Sequence, residues 1–349
     1  MSIVDLPSTI ESACNDPALL NDWHPVGYAG DFEIGKLRPV QLLGHELVVW
    51  RSSDGQAHVW EDLCVHRGTR LSLGEIRNDT VICPYHGWRY AASGQCVSTP
   101  AAPNEAPLKK ARAFPCLAKE RYDLVWACLG IPSKDIPVFP EWDDPAFHHV
   151  SCGPWPYKAT GYRAVENFVD ATHLPFVHAG LNGVPDAPDV IGPYDVMEDE
   201  SGLLTSPVKT YQPFGDPRNI PVHGYYTFRV MRPLTAYFSK RVVIVDEAVR
   251  EEQGKEDDRF CIVLTAQPVD DLNCIVRQTV FINFKVRPAD QQIRDRQNLV
   301  IGQDKAIVES QRPQRIPTDL RFELHHRTDQ LGQRYRKWLA AQDVTYGVV

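Results

Sequence analysis

Two regimes of hydrophobic patterning divide the chain. From about residue 41 to 129 the apolar residues come in short runs. Residues 46–51 and 56–61 are apolar-rich and joined through Asp54-Gly55, a strong hairpin signal. Runs at 80–83 and 89–91 lie close together, Ser93-Gly94 marks a further turn, and 124–129 (LVWACL) reads as a buried strand. Short strands separated by turns predict a small all-β domain. Residues 131–145 (IPSKDIPVFPEWDDP) hold four prolines and few apolar neighbours, the composition of a connector. The predicted domains are therefore 1–135 and 136–349. In the second, β-rich runs recur at 225–231, 241–245, 260–266 and 274–286, and helical periodicity appears at 162–174, 289–311 and 332–341. Strands followed by helices in this proportion predict an α+β domain on an antiparallel sheet with flanking helices.

The all-β half carries its chemistry in two short arms. Cys64-Val65-His66 is followed, after sixteen residues, by Cys83-Pro84-Tyr85-His86. Each arm offers one thiolate and one imidazole, a set suited to two chemically different irons. In a Rieske [2Fe–2S] centre two Cys hold one iron and two His the other. No one regular element turns inward the ligands of both C-x-H and C-x-x-H, so 64–68 and 83–88 are predicted loops, with Gly68 and Gly87 at their bends. Backbone N–H groups of such tight loops are then free to face cluster sulfurs. A Cys₂His₂ zinc finger wants the order C, C, H, H, whereas the order here is C, H, C, H. A Cys64–Cys83 disulfide would leave both imidazoles unexplained.

Bulk composition narrows the setting. A chain of 349 residues, 43% hydrophobic, is long enough for two domains with a sizeable core. A net charge of −8 lacks the basic footprint of a nucleic-acid binder. No apolar run reaches transmembrane length, and the first sixteen residues lack the cationic start and apolar stretch of a signal peptide. Nine cysteines, an odd number, point to a reducing compartment and a cytoplasmic location, the seven outside the arms acting as small hydrophobes.

A second constellation lies in the other half. On a helix over 162–174, Glu166, Asn167, Asp170, His173 and Leu174 share one face. His178 follows His173 by five residues, which on an unbroken helix sets the imidazoles about 140° apart. Pro175 between them is expected to break the helix and let both converge. Two His and one carboxylate form the facial set for non-haem Fe(II). Asp304 is the candidate carboxylate, because Val300, Ile301, Ile307 and Val308 place it in the apolar stripe of its helix, where an unpaired charge is costly. Asp295 and Glu309 fall among polar neighbours and are expected in solvent.

The arms with Arg67-Gly68 and Gly87-Trp88, the pattern Asn167-x-x-Asp170-x-x-His173-x₄-His178, and QDKAIVESQRP around Asp304 together resemble the α subunits of Rieske non-haem iron oxygenases. The likeness runs from Trp23-His24-Pro25-Val26 to the C-terminus. It implies a helix-grip, START-like catalytic domain and a Rieske cluster on Cys64, His66, Cys83 and His86. It also implies mononuclear iron on His173, His178 and Asp304, with Asn167 beside that iron. Asp170 resembles the carboxylate that bridges this iron to His86 of a neighbouring subunit, which implies a homotrimer. Residues 141–145 (EWDDP) and 335–348 resemble saxitoxin-pathway Rieske hydroxylases, while 307–311 and 335–339 resemble bacterial purine N-demethylases.

That resemblance implies an O₂-dependent monooxygenase. It would hydroxylate a C–H bond, or demethylate an N- or O-methyl group, of a small ring compound expected to be polar and nitrogen-containing. Electrons would come from NAD(P)H through a separate flavin and iron–sulfur reductase, with or without a ferredoxin, since the chain has no dinucleotide fingerprint. Three other readings of the residues stand beside it: a ring cis-dihydroxylating dioxygenase, a pure Rieske electron carrier, and a binding scaffold that keeps a cluster for redox sensing. The pocket is expected along 225–237, 281–286 and 179–193, with Tyr225, Tyr226 and Phe228 as candidate walls.

Overall fold

The computed structural model describes residues 13–349, so most of the N-terminal stretch read above for a signal sequence lies outside the described residues. The chain separates into two compact units. One runs to Ile136 and takes in Gln267–Asp271; the other holds Pro137–Ala266 and Leu272–Val349.

The first unit is built on a sheet in the order His24–Tyr28, Leu124–Cys128, Pro115–Arg121, Ala57–Glu61, His45–Arg51, Leu37–Leu42, every neighbouring pair antiparallel. The expected hairpin closes through Asp54-Gly55, where Gly55 takes a φ of +87° that a side chain would resist. A second, smaller sheet runs Glu75–Arg77, Thr80–Ile82, Arg89–Ala91, Cys96–Ser98. Trp50, Trp60, Leu71, Val81 and Tyr90 fill the space between, and Cys64 and Cys83 are part of that buried cluster. The ligand loops therefore leave the core directly: one follows Ala57–Glu61, and the other links Thr80–Ile82 to Arg89–Ala91.

The second unit carries a larger sheet in the order His148–Tyr157, Cys274–Ile282, Arg259–Pro268, Thr235–Ile244, Val222–Arg232, Gly202–Thr205, Val196–Asp199, with Val208–Gln212 also paired to Val222–Arg232. Five residues join Arg259–Pro268 to Cys274–Ile282, too few for a parallel crossover, so that pair is antiparallel like the rest. Alternation along Val222–Arg232 buries Tyr226 and Phe228 and turns Tyr225 to the opposite face, where it stacks with Arg241. The long helix Asp290–Val308 packs on His148–Tyr157. Trp155 Nε1 donates to Asn298 Oδ1 at 3.0 Å, and Tyr157 OH to the Ile301 carbonyl at 3.4 Å. That packing turns Ile293, Gln297, Ile301, Asp304 and Val308 inward. Asp304 is buried as expected and Asp295 is exposed, but Ile307 faces out, so the stripe is narrower than the sequence suggested.

The helix expected over 162–174 is shorter. It spans Gly161–Phe168, starts where the Thr160 side chain accepts from the Arg163 N–H, and ends at Val169. Asp170 then accepts from both the N–H and the hydroxyl of Thr172 at 2.7 Å, an Asx turn that competes with helix continuation. A one-turn helix, Leu174–Val177, follows with Pro175 in its first turn. The break thus lies upstream of Pro175, which begins the second helix instead of ending the first.

Candidate active site

In the first unit the two ligand loops share one hydrogen-bond scheme. The Cys64 N–H donates to the Thr69 carbonyl and the Gly68 N–H to the Cys64 carbonyl; the Cys83 N–H donates to the Trp88 carbonyl and the Gly87 N–H to the Cys83 carbonyl, all at 2.8–3.0 Å. Gly68 and Gly87 take φ values of +71° and +69°, which lets each loop double back over its cysteine. The only offset between the loops is that the imidazole stands two residues after Cys64 and three after Cys83. The result brings both buried thiols together and sets the His66 and His86 rings 4.5 Å apart. His66 also stacks flat on Trp88, with ring centres 4.3 Å apart. Its Nδ1 is buried with no hydrogen-bond partner among the described residues. A buried imidazole nitrogen without a partner carries a desolvation cost that a metal bond would remove. Two thiols and two imidazoles converging this way fit a Rieske cluster. Tyr90, which the sequence did not single out, lies with its hydroxyl 3.1 Å from Cys64 Sγ.

In the second unit His173 and His178 bracket the one-turn helix, and their rings lie 5.1 Å apart. Both Nε2 atoms face Asp304 Oδ1, at 3.5 Å from His173 and 3.2 Å from His178. The three ligand atoms lie within 4.8 Å of one another. A carboxylate can only accept, so the 3.2 Å contact between His173 Nδ1 and Asp170 Oδ2 puts the proton on Nδ1 and leaves the Nε2 lone pair free. His178 is fixed likewise: its Nδ1 donates to Gln303 Oε1 at 2.9 Å. Asn167 Nδ2 donates to Asp304 Oδ1 at 3.4 Å. Two imidazoles and one buried carboxylate converge with their other atoms restrained, which is how a facial metal site is oriented. Burial works to raise the Asp170 pKa, but the bonds from His173 and Thr172 outweigh it and hold the carboxyl below its ordinary range. The same contact lifts His173 against the downward pull of burial.

These ligands open onto a partly open cavity, with about 590 Å³ of space free of protein atoms when the adjoining solvent is included. Phe168, Tyr226, Phe228, Phe238 and Phe260 form aromatic walls, and Phe168 stacks on Phe238 at 5.2 Å. Of the three aromatic residues proposed from the sequence, Tyr226 and Phe228 line this space and Tyr225 does not. Lys240, Gln278 and Arg296 add polar groups to the lining, none of which stood out in the sequence.

Comparison with known families is decisive at this point. Residues 22–118 match the Rieske [2Fe-2S] domain, and residues 157–342 match the vanillate O-demethylase oxygenase C-terminal domain. The chain is a Rieske oxygenase. It is 29% identical over 332 residues to the methylxanthine N3-demethylase NdmB of Pseudomonas putida, covering 90% of this chain and 87% of that one. It is also 29% identical over 346 residues to the methylxanthine N1-demethylase NdmA of the same organism, covering 93% and 91%. The solved structure of Pseudomonas putida CBB5 NdmB superimposes with a TM-score of 0.77 at 27% identity, over 95% of this chain and 92% of that one. The oxygenase is a Rieske non-haem iron monooxygenase whose cofactors are a [2Fe–2S] cluster and mononuclear iron. Its fold class is the expected one, an all-β Rieske domain followed by a sheet-rich catalytic domain with flanking helices. Small-molecule substrate and a separate reductase follow from the family. No helix among the described residues is long and apolar enough to cross a membrane.

Proposed function

We propose that this oxygenase removes an N-methyl group from, or hydroxylates, a small polar nitrogen-containing ring compound held in the aromatic cavity. Cys64 and Cys83 would hold one cluster iron, His66 and His86 the other, and His173, His178 and Asp304 the mononuclear iron. When bound, the cluster supplies electrons singly and the iron activates O₂ for insertion into a C–H bond. The observation that carries the reading is the junction of the two-imidazole, one-carboxylate site with an aromatic cavity, in a chain similar along its length to two named N-demethylases.

The chain's own residues have definable tasks in this scheme. Asp170 and Gln303 hold the two imidazoles with their Nε2 atoms inward. Asn167 steadies the Asp304 oxygen. The Phe168–Phe238 stack and Phe228 exclude water and set a flat substrate beside the metal. Oxygen inserted into a C–H bond of the N-methyl group gives N–CH₂OH, which collapses to the N–H ring and formaldehyde. The second oxygen atom leaves as water, with two electrons from NAD(P)H and two protons completing the balance.

A homotrimer in the cytoplasm belongs to the same reading. The side chain of Asp170 is 34% exposed, which leaves it reachable from outside the unit, where His86 of the partner subunit would dock. The test is turnover of the iron-loaded protein with NADH, a ferredoxin-type reductase and a panel of methylxanthines. Formaldehyde released in step with O₂-dependent NADH oxidation is expected. Filled iron sites with neither formaldehyde nor a hydroxylated product from any N-methylated ring compound would contradict it.

A further inference from the structure

The wall of the cavity away from the histidines holds two cations without counter-charges. Lys240, on Thr235–Ile244, is only 2% exposed, yet its ammonium meets neutral oxygens alone: Gln212 Oε1 at 3.0 Å and the Gly215 carbonyl at 3.3 Å. The rings of Tyr226 and Phe260 cover it at 5.5 and 4.7 Å. Arg296, on Asp290–Val308, makes one hydrogen bond among the described residues, 3.4 Å from Nη2 to Asn182 Oδ1. The carboxylate whose charge reaches both is Asp216, but it is committed to Arg218 through two bonds of 2.8 Å. Asp304 does not serve either cation, being turned to the imidazoles. Gln278, on Cys274–Ile282, is 3% exposed, and its Oε1 has no hydrogen-bond partner among the described residues.

Each feature is costly by itself. A buried cation hydrogen-bonded only to neutral oxygens recovers part of its lost hydration, and a buried carbonyl oxygen without a donor recovers none. Burial depresses the Lys240 pKa to about 7; the pull of Asp216 opposes it, and repulsion from Arg296 and Arg218 adds to it. All three groups line the same cavity as the proposed iron ligands. A cavity with two unpaired positive groups and one unpaired acceptor is complementary to a ligand with an anionic oxygen group and an N–H or O–H donor.

We propose that the substrate is an anionic ring compound whose carboxylate, or equally acidic oxygen group, is received by Lys240 and Arg296 while Gln278 accepts a hydrogen bond from a ring or amine N–H. This deepens the demethylation reading and rests on it for the identity of the cavity as the substrate site. It narrows the substrate class from polar to negatively charged. Specificity then comes from both signs of the interaction: a neutral analogue leaves two buried cations unpaired.

The test separates binding from turnover. Calorimetry on the iron-loaded protein without O₂ would compare 4-(methylamino)benzoate with 4-(methylamino)benzamide, which differ in charge and share the N–H donor. The benzoate is expected to bind about tenfold more tightly or better. Lys240→Met and Arg296→Gln should each erase most of that preference while leaving the amide within about threefold, and Arg296→Lys should keep it. Gln278→Leu should weaken both probes but not 4-(dimethylamino)benzoate, which has no N–H to donate. Equal binding, tighter binding of the amide, no binding of the benzoate, or a preference untouched by Lys240→Met and Arg296→Gln overturns the proposal. A clear preference for the benzoate without release of formaldehyde on adding O₂ and electrons sustains the charge selection and counts against demethylation alone.

Discussion

Tyr90→Phe isolates a single hydrogen bond to a cluster ligand. The Tyr90 ring is fully buried beside Trp50, Trp60 and Val81, so phenylalanine keeps the packing and removes only the hydroxyl 3.1 Å from Cys64 Sγ. Burial, and then the bond to Cys64, push the phenol pKa upward, so the hydroxyl keeps its proton and donates to a cluster-bound thiolate. A hydrogen bond to a charged acceptor contributes about 1.5–3 kcal/mol. Reduction adds one negative charge to the cluster and strengthens that bond. If roughly half its worth depends on redox state, the difference is about 1 kcal/mol. For a one-electron couple a tenfold change in equilibrium corresponds to about 59 mV, so about 1 kcal/mol lowers the potential by about 40 mV. A spectroelectrochemical titration of both proteins, followed by circular dichroism of the cluster, would measure the shift. A potential that rises, or one unchanged within about 10 mV, would refute the assignment of the Tyr90 hydroxyl as a donor to the cluster.

Asp304→Ala or His178→Ala should lower bound iron from about three to about two atoms per chain while leaving the visible spectrum of the cluster intact; metal analysis after gel filtration reads this directly. Asp170→Asn should keep both iron sites filled yet reduce turnover by about 10–100-fold, measured as NADH-coupled formaldehyde release; loss of iron instead would show a purely anchoring role for Asp170. The Lys240 amine, depressed to about 7 from 10.5, holds fewer protons in the folded chain than in the unfolded one between those values. Stability should therefore rise with pH from about 7 to 10 in the ligand-free protein, and Lys240→Met should flatten that rise in urea titrations. Asp216, Arg218, Arg296 and Cys261 are the ionisable groups whose fields act on it, and they are unchanged in the variant.

The parts of the molecule legible in sequence were those governed by local rules. The loops at Cys64 and Cys83 were readable because ligand spacing and two glycines leave no regular alternative. The strands Val222–Arg232 and Arg259–Pro268 announced themselves through alternating or continuous apolar runs. Helical periodicity put Asn167, Asp170 and His173 on one face, yet their proximity arises from a helix, an Asx turn and a second helix. The turn was hidden because Asp170 can either continue a helix or cap its own backbone, and only tertiary packing decides between them. His148–Tyr157 was missed: its Gly153-Pro154 step and the register shift between Cys152 and Trp155 erase the alternation. Lys240 and Gln278 look like ordinary solvent-facing residues within strands, and nothing local tells that the face opposite is filled by a helix. Gln303 was equally silent, since its value depends on His178, 125 positions earlier in the chain, lying 2.9 Å away.

The central claim is monooxygenation at the His173–His178–Asp304 site. Turnover under ¹⁸O₂ with NADH and reductase, followed at once by mass spectrometry of trapped formaldehyde and of the ring product, tests it most directly. One labelled oxygen in the formaldehyde or in a hydroxylated ring, with the other recovered as water, is the expected result. Two labelled oxygens in one organic product, or product oxygen drawn from solvent when trapping is prompt, would contradict the account.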